Sequence, residues 1–343
     1  MNFATLTRPL IIAEAGVNHN GDLALARQLI DAAAAAGADF VKFQTFRTEK
    51  LVSQTAPRAE YQKVNAPKYE SQYAMLKQLE LDEAMHHDLM AHCRFRNIGF
   101  MSSPFDLESI ELLSQLGVEF FKVPSGEITN APYLAKIGSL HKPVILSTGM
   151  AKIDEIGAAL EILFSAGTPR QQVIVLHCNT QYPTPPEDVN LRAMHHIARE
   201  FAVPVGYSDH TLGIEIPIAA VALGAVCIEK HFTLDRTLPG PDQAASLEPA
   251  ELQAMVHSIH QVAVALGDGI KRPSPSEIGN RDIVRKSIHV AAPLSARHIL
   301  QAEDLIMKRP GTGLSPMEVS HVVGRALRHA VEADHQLQWE DLV

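Results

Sequence analysis

No stretch of this 343-residue chain is apolar over the roughly 20 residues that a membrane-spanning helix needs, which excludes a helical membrane protein. Cysteine is scarce. Cys93, Cys178 and Cys227 are odd in number, scattered, and fall within predicted helix or strand, so they do not form a disulfide framework and point to a reducing compartment. Positive charge is also short: 30 Lys and Arg against 39 Asp and Glu give a net charge of −9. That argues against nucleic acid as a main partner, although an acidic protein can still hold a basic pocket. The start of the chain leads into a strand without the charged segment, apolar stretch and cleavage site of a secretory signal, so the expected location is cytoplasmic. Aromatic residues make up 6% of the chain, whereas the apolar fraction of 46% is ordinary for a globular protein. The length suits one large domain and one small one.

What is present is a rhythm. Short apolar runs near Leu10, Phe40, Gly99, Phe120, Val144, Val173, Val205 and Cys227 each precede a helical pattern. Asp22 is placed to cap the first helix and Gly37 to stop it. Eight strand–helix units predict a parallel sheet covered on both faces and, by their number, a closed (β/α)8 TIM barrel. An open doubly wound sheet is the alternative. Residues 46–80 interrupt the rhythm with a polar segment that contains Pro57 and Pro67 and reads as a functional loop. The predicted divisions are a barrel over 1–269, a polar linker over 270–286 with Pro273 and Pro275, and a small β-rich domain over 287–343.

In such a barrel the active site lies where the strands end. The residues at those ends are Glu14, then Lys42 and Gln44, Ser103, Lys122 with Ser125 and Glu127, Ser147, Thr180 and Tyr182, Ser208 with Asp209 and His210, and finally His231. Lys42 and Lys122 sit beside apolar residues, and a buried unpaired ammonium costs several kcal/mol in order of magnitude. Each therefore needs an anion: Glu14 or Glu127 within the protein, or a ligand. With the hydroxyls of Ser103, Ser125 and Ser147, the two cations suit a phosphate and carboxylate ligand, though any one serine alone reads as a turn residue or cap. A lone histidine more often has a structural role. Two histidines following consecutive strands favour a metal, in a site too open for structural zinc and suited to manganese, magnesium, cobalt or zinc as Lewis acid. Asp209 either orients an imidazole or caps the next helix.

The ordered set of motifs carries a resemblance. Ile-Ile-Ala-Glu-Ala-Gly-Val-Asn-His-Asn-Gly contains Glu14, Val-Lys-Phe-Gln-Thr contains Lys42 and Ser-Ser-Pro-Phe contains Ser103. Lys-Val-Pro-Ser-Gly-Glu starts at Lys122, Leu-Ser-Thr-Gly-Met contains Ser147 and Tyr-Pro-Thr-Pro starts at Tyr182. Gly-Tyr-Ser-Asp-His-Thr and Glu-Lys-His-Phe-Thr-Leu carry His210 and His231. Together they resemble the bacterial sialic acid synthases, which condense phosphoenolpyruvate with an N-acetylated hexosamine to give nine-carbon nonulosonic acids. Lys-Arg-Pro-Gly-Thr-Gly around Arg309 resembles the motif of that family's C-terminal antifreeze-like (SAF) domain.

The resemblance implies roles. His210 and His231 would hold a divalent ion, manganese first, with magnesium or cobalt as alternatives. Lys42, Ser103, Lys122, Ser125 and Ser147 would hold phosphoenolpyruvate, assisted by Thr180 and Gln44. Tyr182, Asp242 and Arg309 would hold the sugar, Arg309 reaching it from the second subunit of a domain-swapped homodimer. Without the resemblance, Arg309 reads as a surface residue in a Pro-Gly turn. Glu14 and Glu127 would orient hydroxyls or move protons. Asn179-Thr180 departs from the Thr-Asn or Thr-Ser common in the family, and with Gln-Tyr-Pro it is similar to the subgroup making N,N'-diacetyllegionaminic acid from a 6-deoxy diacetamido mannose. N-acetylneuraminate is the other product considered. The competing readings are a synthase of the octulosonate phosphate type acting on a phosphorylated aldose, and a catalytically inactive carbohydrate-binding protein.

Overall fold

The computed structural model describes residues 3, 6–66 and 69–343; Pro67 of the interrupting segment lies outside the described residues. The chain divides into two compact units, residues 1–267 and 268–343.

The first unit is built on eight parallel strands: β1 (Leu10–Gly16), β2 (Phe40–Thr45), β3 (Gly99–Pro104), β4 (Phe121–Val123), β5 (Val144–Ser147), β6 (Val173–Cys178), β7 (Val205–Asp209) and β8 (Cys227–His231). They pair in the order β3-β2-β1-β8-β7-β6-β5-β4, and β3 packs beside β4 to complete the ring. This cyclic order excludes the open doubly wound sheet. Each strand leads to a helix on the outside, from Leu23–Ala36 after β1 to Pro249–Ala265 after β8. Asp22 caps the first of these, accepting from the amides of Ala24 (2.7 Å) and Leu25 (3.1 Å), and Gly37 ends it at φ 83°.

Successive side chains on a strand point to opposite faces, and here that alternation sorts the core. Ile11, Ala13, Val41, Phe43, Tyr207 and Ile228 face the helices and join the main hydrophobic cluster. Leu10, Ile12, Phe40, Met101, Ile145, Ile174 and Cys227 face inward and fill the lower half of the barrel. Each fully buried aliphatic side chain of this kind contributes about 1.5–3 kcal/mol of transfer free energy. Continuing upward on the inward parity, Ile12 gives way to Glu14, Phe40 to Lys42, Met101 to Ser103, Ile145 to Ser147 and Cys227 to Glu229. The barrel interior thus changes from apolar to polar within one step of each strand.

Some strands run further than their apolar runs suggested. Glu14, Ser103 and His231 lie within strands, not beyond them. The interrupting segment is also more ordered than a loop. It holds short helices at Thr48–Leu51, Glu60–Asn65 and Gln72–Lys77, and Phe46, Met75, Leu76 and Leu79 pack with Val17 in a small cluster of their own.

The second unit contains a ten-residue helix, Pro275–Val284, where a polar linker was expected. The side chain of Glu277 accepts from the amide of Ser274, and Pro275 occupies the first turn, where its missing N–H costs nothing. Beyond it, β9 (Ser287–Val290) and β10 (Leu305–Lys308) form an antiparallel pair. The remaining β structure among the described residues is isolated bridges, such as Leu327–Leu342, around a core containing Ile288, Val290, Leu300, Leu327 and Leu337.

Candidate active site

A cavity of about 290 Å³ opens at the C-terminal ends of the strands. Of the residues singled out in the sequence, Glu14, Lys42, Gln44, Ser103, Lys122, Ser125, Ser147, Thr180, Tyr182, His210, His231 and Asp242 line it.

Its centre is an ionic cluster. Lys42 Nζ lies 2.7 Å from Glu14 Oε2 and 3.7 Å from Glu229 Oε2, and it donates to Ser103 Oγ at 2.9 Å. Lys122 Nζ lies 3.5 Å from Glu229 Oε1 and donates to Ser147 Oγ at 2.7 Å. Ser208 Oγ donates to Glu229 Oε1 at 3.1 Å. The register explains the convergence: Glu14 is level with both Lys42 and His231, and Ser208 with Glu229.

Burial opposes every charge in this cluster, and the partners decide which way each pKa moves. Burial works against the Lys42 ammonium, but Glu14 and Glu229 outweigh it and hold its pKa above the usual range. For Lys122, burial prevails over the attraction of Glu229 and the pKa falls below the usual range. Burial also raises Glu229, but Lys122 and Lys42 together bring it below the ordinary carboxylate value. Burial pushes Glu14 up to about 7, with Lys42 opposing and Glu229 reinforcing the rise. Of two carboxylates sharing two ammonium groups, the one between both lysines stays ionised and the other carries an exchangeable proton near neutrality.

The imidazoles of His210 and His231 lie 5.3 Å apart between ring centroids. Burial lowers the pKa of His210 to about 4 and that of His231 well below the usual value, so both rings are neutral at pH 7. His210 Nδ1 donates to the carbonyl of Asn179 at 2.5 Å, which leaves its Nε2 lone pair for an electrophile. His231 Nδ1 is buried without a hydrogen-bond partner. Two neutral imidazoles so arranged, one of them unsatisfied, fit a divalent ion held with open positions. Tyr182 stacks on His210 at 4.0 Å and meets His231 edge-on at 5.5 Å. Gly16, at φ 53°, leaves room beside this group; a Cβ there would lie 3.2 Å from Glu14 Oε1 and 3.4 Å from His231 Cε1.

On the opposite wall, Ser125 Oγ accepts from the amide of Gly149 at 2.9 Å and lies 3.2 Å from Cys178 Sγ. A Cβ on Gly149 would come within 2.6 Å of the Thr180 methyl, so this approach requires glycine. Asp242, buried on the rim, has its pKa pushed up to about 6 by burial. Leu51, Gln62, Gln72 and Met75 bring the interrupting segment into the wall.

Two expectations are corrected, and one residue of the site was not expected. Glu127 does not line this cavity. It faces a separate one with Lys50, Asp106 and Tyr133, and accepts from Asn130 Nδ2 at 2.7 Å, because the turn Ser125–Glu127 rotates it away from Ser125. Asp209 neither orients His210 nor caps a helix. It points outward and pairs with Lys230 at 2.5 Å. Glu229, the hub of the cluster, was missed as a site residue; its signal was an acid in an apolar strand at the same parity as His231. Arg309 belongs to the second unit, where it is exposed and its Nε donates to the carbonyl of Val284 at 2.9 Å. No helix among the described residues is long and apolar enough to cross a membrane.

Comparison with known proteins adds two family matches: the NeuB family over residues 29–271 and the SAF domain over residues 285–343. The chain is 51% identical over 320 residues to the N,N'-diacetyllegionaminic acid synthase of Campylobacter jejuni, spanning 93% of this chain and 96% of that protein. It is 48% identical over 334 residues to the N,N'-diacetyllegionaminic acid synthase of Legionella pneumophila, spanning 97% and 94%. Among solved structures, the N-acetylneuraminic acid (sialic acid) synthetase of Leptospira borgpetersenii in complex with citrate aligns with a TM-score of 0.70 at 38% identity, covering 80% of this chain and 90% of that one.

Proposed function

The chain belongs to the NeuB family, and from that membership and the geometry of the cavity we propose that it condenses phosphoenolpyruvate with an acetamido sugar and water to give a nonulosonic acid and inorganic phosphate. The sugar is a 6-deoxy diacetamido mannose, giving N,N'-diacetyllegionaminate; the resemblance in extent and identity to synthases of that acid supports this choice over N-acetylmannosamine. The single observation that carries the chemistry is the pair of buried lysines, Lys42 and Lys122, gathered around Glu229 in the cavity that two neutral imidazoles also line.

Lys42 and Lys122 bind the phosphate and carboxylate of the enol ester, with Ser103, Ser125 and Ser147 completing the donor set. Gln44 and Thr180 line the same pocket. His210 and His231 would hold a divalent ion, manganese first, which would supply Lewis acidity toward the aldehyde of the open-chain sugar. Carbon 3 of phosphoenolpyruvate bonds to the aldehyde carbon, and water adds at carbon 2. The carbon 2–oxygen bond then breaks and phosphate leaves with the bridging oxygen. The two ammonium groups stabilise the departing anion, in a site preorganised before substrate arrives. Glu14, which titrates near neutrality, exchanges the proton of the attacking water or of the new hydroxyl. Tyr182 and Asp242 hold the sugar. Arg309 reaches it from the second subunit of a domain-swapped homodimer, with 1–269 as the catalytic domain, 270–286 as the linker and 287–343 as the antifreeze-like (SAF) domain.

Phosphate release, measured with the 6-deoxy diacetamido sugar, N-acetylmannosamine and a phosphorylated aldose in turn, tests the reading. Fastest turnover on the diacetamido sugar is expected. Turnover confined to the phosphorylated aldose, or sugar binding without phosphate release, contradicts it.

A further inference from the structure

The C-terminal unit contains a cluster of side chains that the reaction does not use. His329, His335 and Asp341 are spaced six residues apart, too far along a regular helix or strand for them to meet, yet their donor atoms lie within 4.8 Å of one another. His329 Nε2 is 3.2 Å from Asp341 Oδ1, and His335 Nε2 is 3.0 Å from Asp341 Oδ2. The two rings are nearly perpendicular, at 87° and 6.3 Å between centroids, so they do not stack; they converge on the carboxylate through their Nε2 atoms.

We propose that His329, His335 and Asp341 bind a first-row divalent ion of the zinc type and clasp the last loop of the C-terminal unit. The carboxylate is fixed in advance. The side chain of Asp341 is 10% exposed, its Oδ2 accepts from the amide of Gln338 at 2.8 Å, and its own carbonyl accepts from the amide of Arg328 at 2.8 Å. The ends of the loop are fixed too, because Leu327 bridges Leu342. The chain over 328–341 is therefore closed at its base, and His335 lies at its middle. An ion on all three residues ties that middle to the base.

The donor set selects the ion. Imidazole nitrogen with carboxylate oxygen suits zinc, cobalt or nickel, whereas magnesium and calcium prefer oxygen donors throughout. The imidazoles are 52% and 36% exposed, so solvent supplies the remaining ligands. Three ligands in one short, prefolded loop give a stabilising clasp, since ion binding favours the folded loop over the open one.

The test uses the full chain, stripped with chelator, reloaded with zinc and passed through gel filtration before zinc is counted. His329→Ala and His335→Ala are each expected to hold one fewer zinc ion per chain than the parent. A variant with both His210→Ala and His231→Ala is expected to keep that ion, which separates this site from the barrel. Hydrogen exchange over 328–341 should slow on zinc addition in the parent and not in His329→Ala. Should His335→Ala fail to fold, His329→Ala, altered on an exposed side chain, still decides. Equal zinc content in the parent and His329→Ala overturns the proposal.

Discussion

Replacing Lys230 by methionine is expected to destabilise the barrel severely although the residue touches no ligand. Its Nζ lies 2.5 Å from Asp209 Oδ2 and also donates to the Thr211 carbonyl, and both ion-pair side chains are 0% exposed. Burial raises the pKa of Asp209 and lowers that of Lys230, despite their attraction for one another. The pair is therefore costly to assemble and costlier to halve. Lys230→Met keeps the length of the stem but leaves the carboxylate with only the Thr211 amide (3.1 Å) and hydroxyl (3.0 Å) among its hydrogen bonds. An orphaned buried charge of this kind costs about 3–5 kcal/mol. At about 2–4 °C per kcal/mol for a unit of this size, the melting midpoint followed by circular dichroism should fall by about 6–20 °C. Adding Asp209→Asn removes the orphaned charge and should restore most of the loss, because exchanging both members of a buried pair is often neutral. A Lys230→Met midpoint within about 2 °C of the parent, less than about 1 kcal/mol on that scale, would refute the reasoning.

Further outcomes follow from the cavity. Asp242→Asn should stabilise the protein at pH 7 while weakening sugar binding: a carboxyl raised from 3.8 to about 6 gives up about 3 kcal/mol as its charge forms, at about 1.4 kcal/mol per unit. The sign is fixed, since a folded pKa above the unfolded one lends stability below pH 3.8 that is lost as pH rises through about 6; a melting series in pH should show the gain vanish in acid. Glu229→Gln should lower kcat/KM for phosphoenolpyruvate about a hundredfold, one charge-assisted hydrogen bond of up to about 3 kcal/mol, because Lys122 loses the carboxylate opposing its deprotonation. Glu14→Gln should remove the limb of the rate profile centred near pH 7. Arg309→Ala should raise KM for the sugar and leave that for phosphoenolpyruvate unchanged in steady-state assays.

The fold was legible because each strand is a short apolar run and each helix carries its own start and stop, as Asp22 and Gly37 show. Most of the site was legible because polar residues ending apolar strands have few reasons to be there. Glu229 was hidden by the opposite circumstance. It stands inside β8, flanked by Ile228 and Lys230, and only inward parity separates it from its outward neighbour Lys230. Glu127 misled because two residues of a tight turn suffice to redirect a side chain from one cavity to another. Helix Pro275–Val284 was masked by prolines, which break a helix in its middle but favour its first turn. The three residues gathered around Asp341 lie six apart, too far along a helix or strand to meet, and a loop closed by the Leu327–Leu342 bridge brings them together.

Phosphoenolpyruvate labelled with oxygen-18 in the bridge between carbon 2 and phosphorus, turned over with the acetamido sugar, gives the most direct test of the central claim. Condensation at a site where Lys42 and Lys122 receive the departing anion predicts that all of the label leaves in inorganic phosphate. Label retained in the sugar acid, or no phosphate released at all, would contradict it.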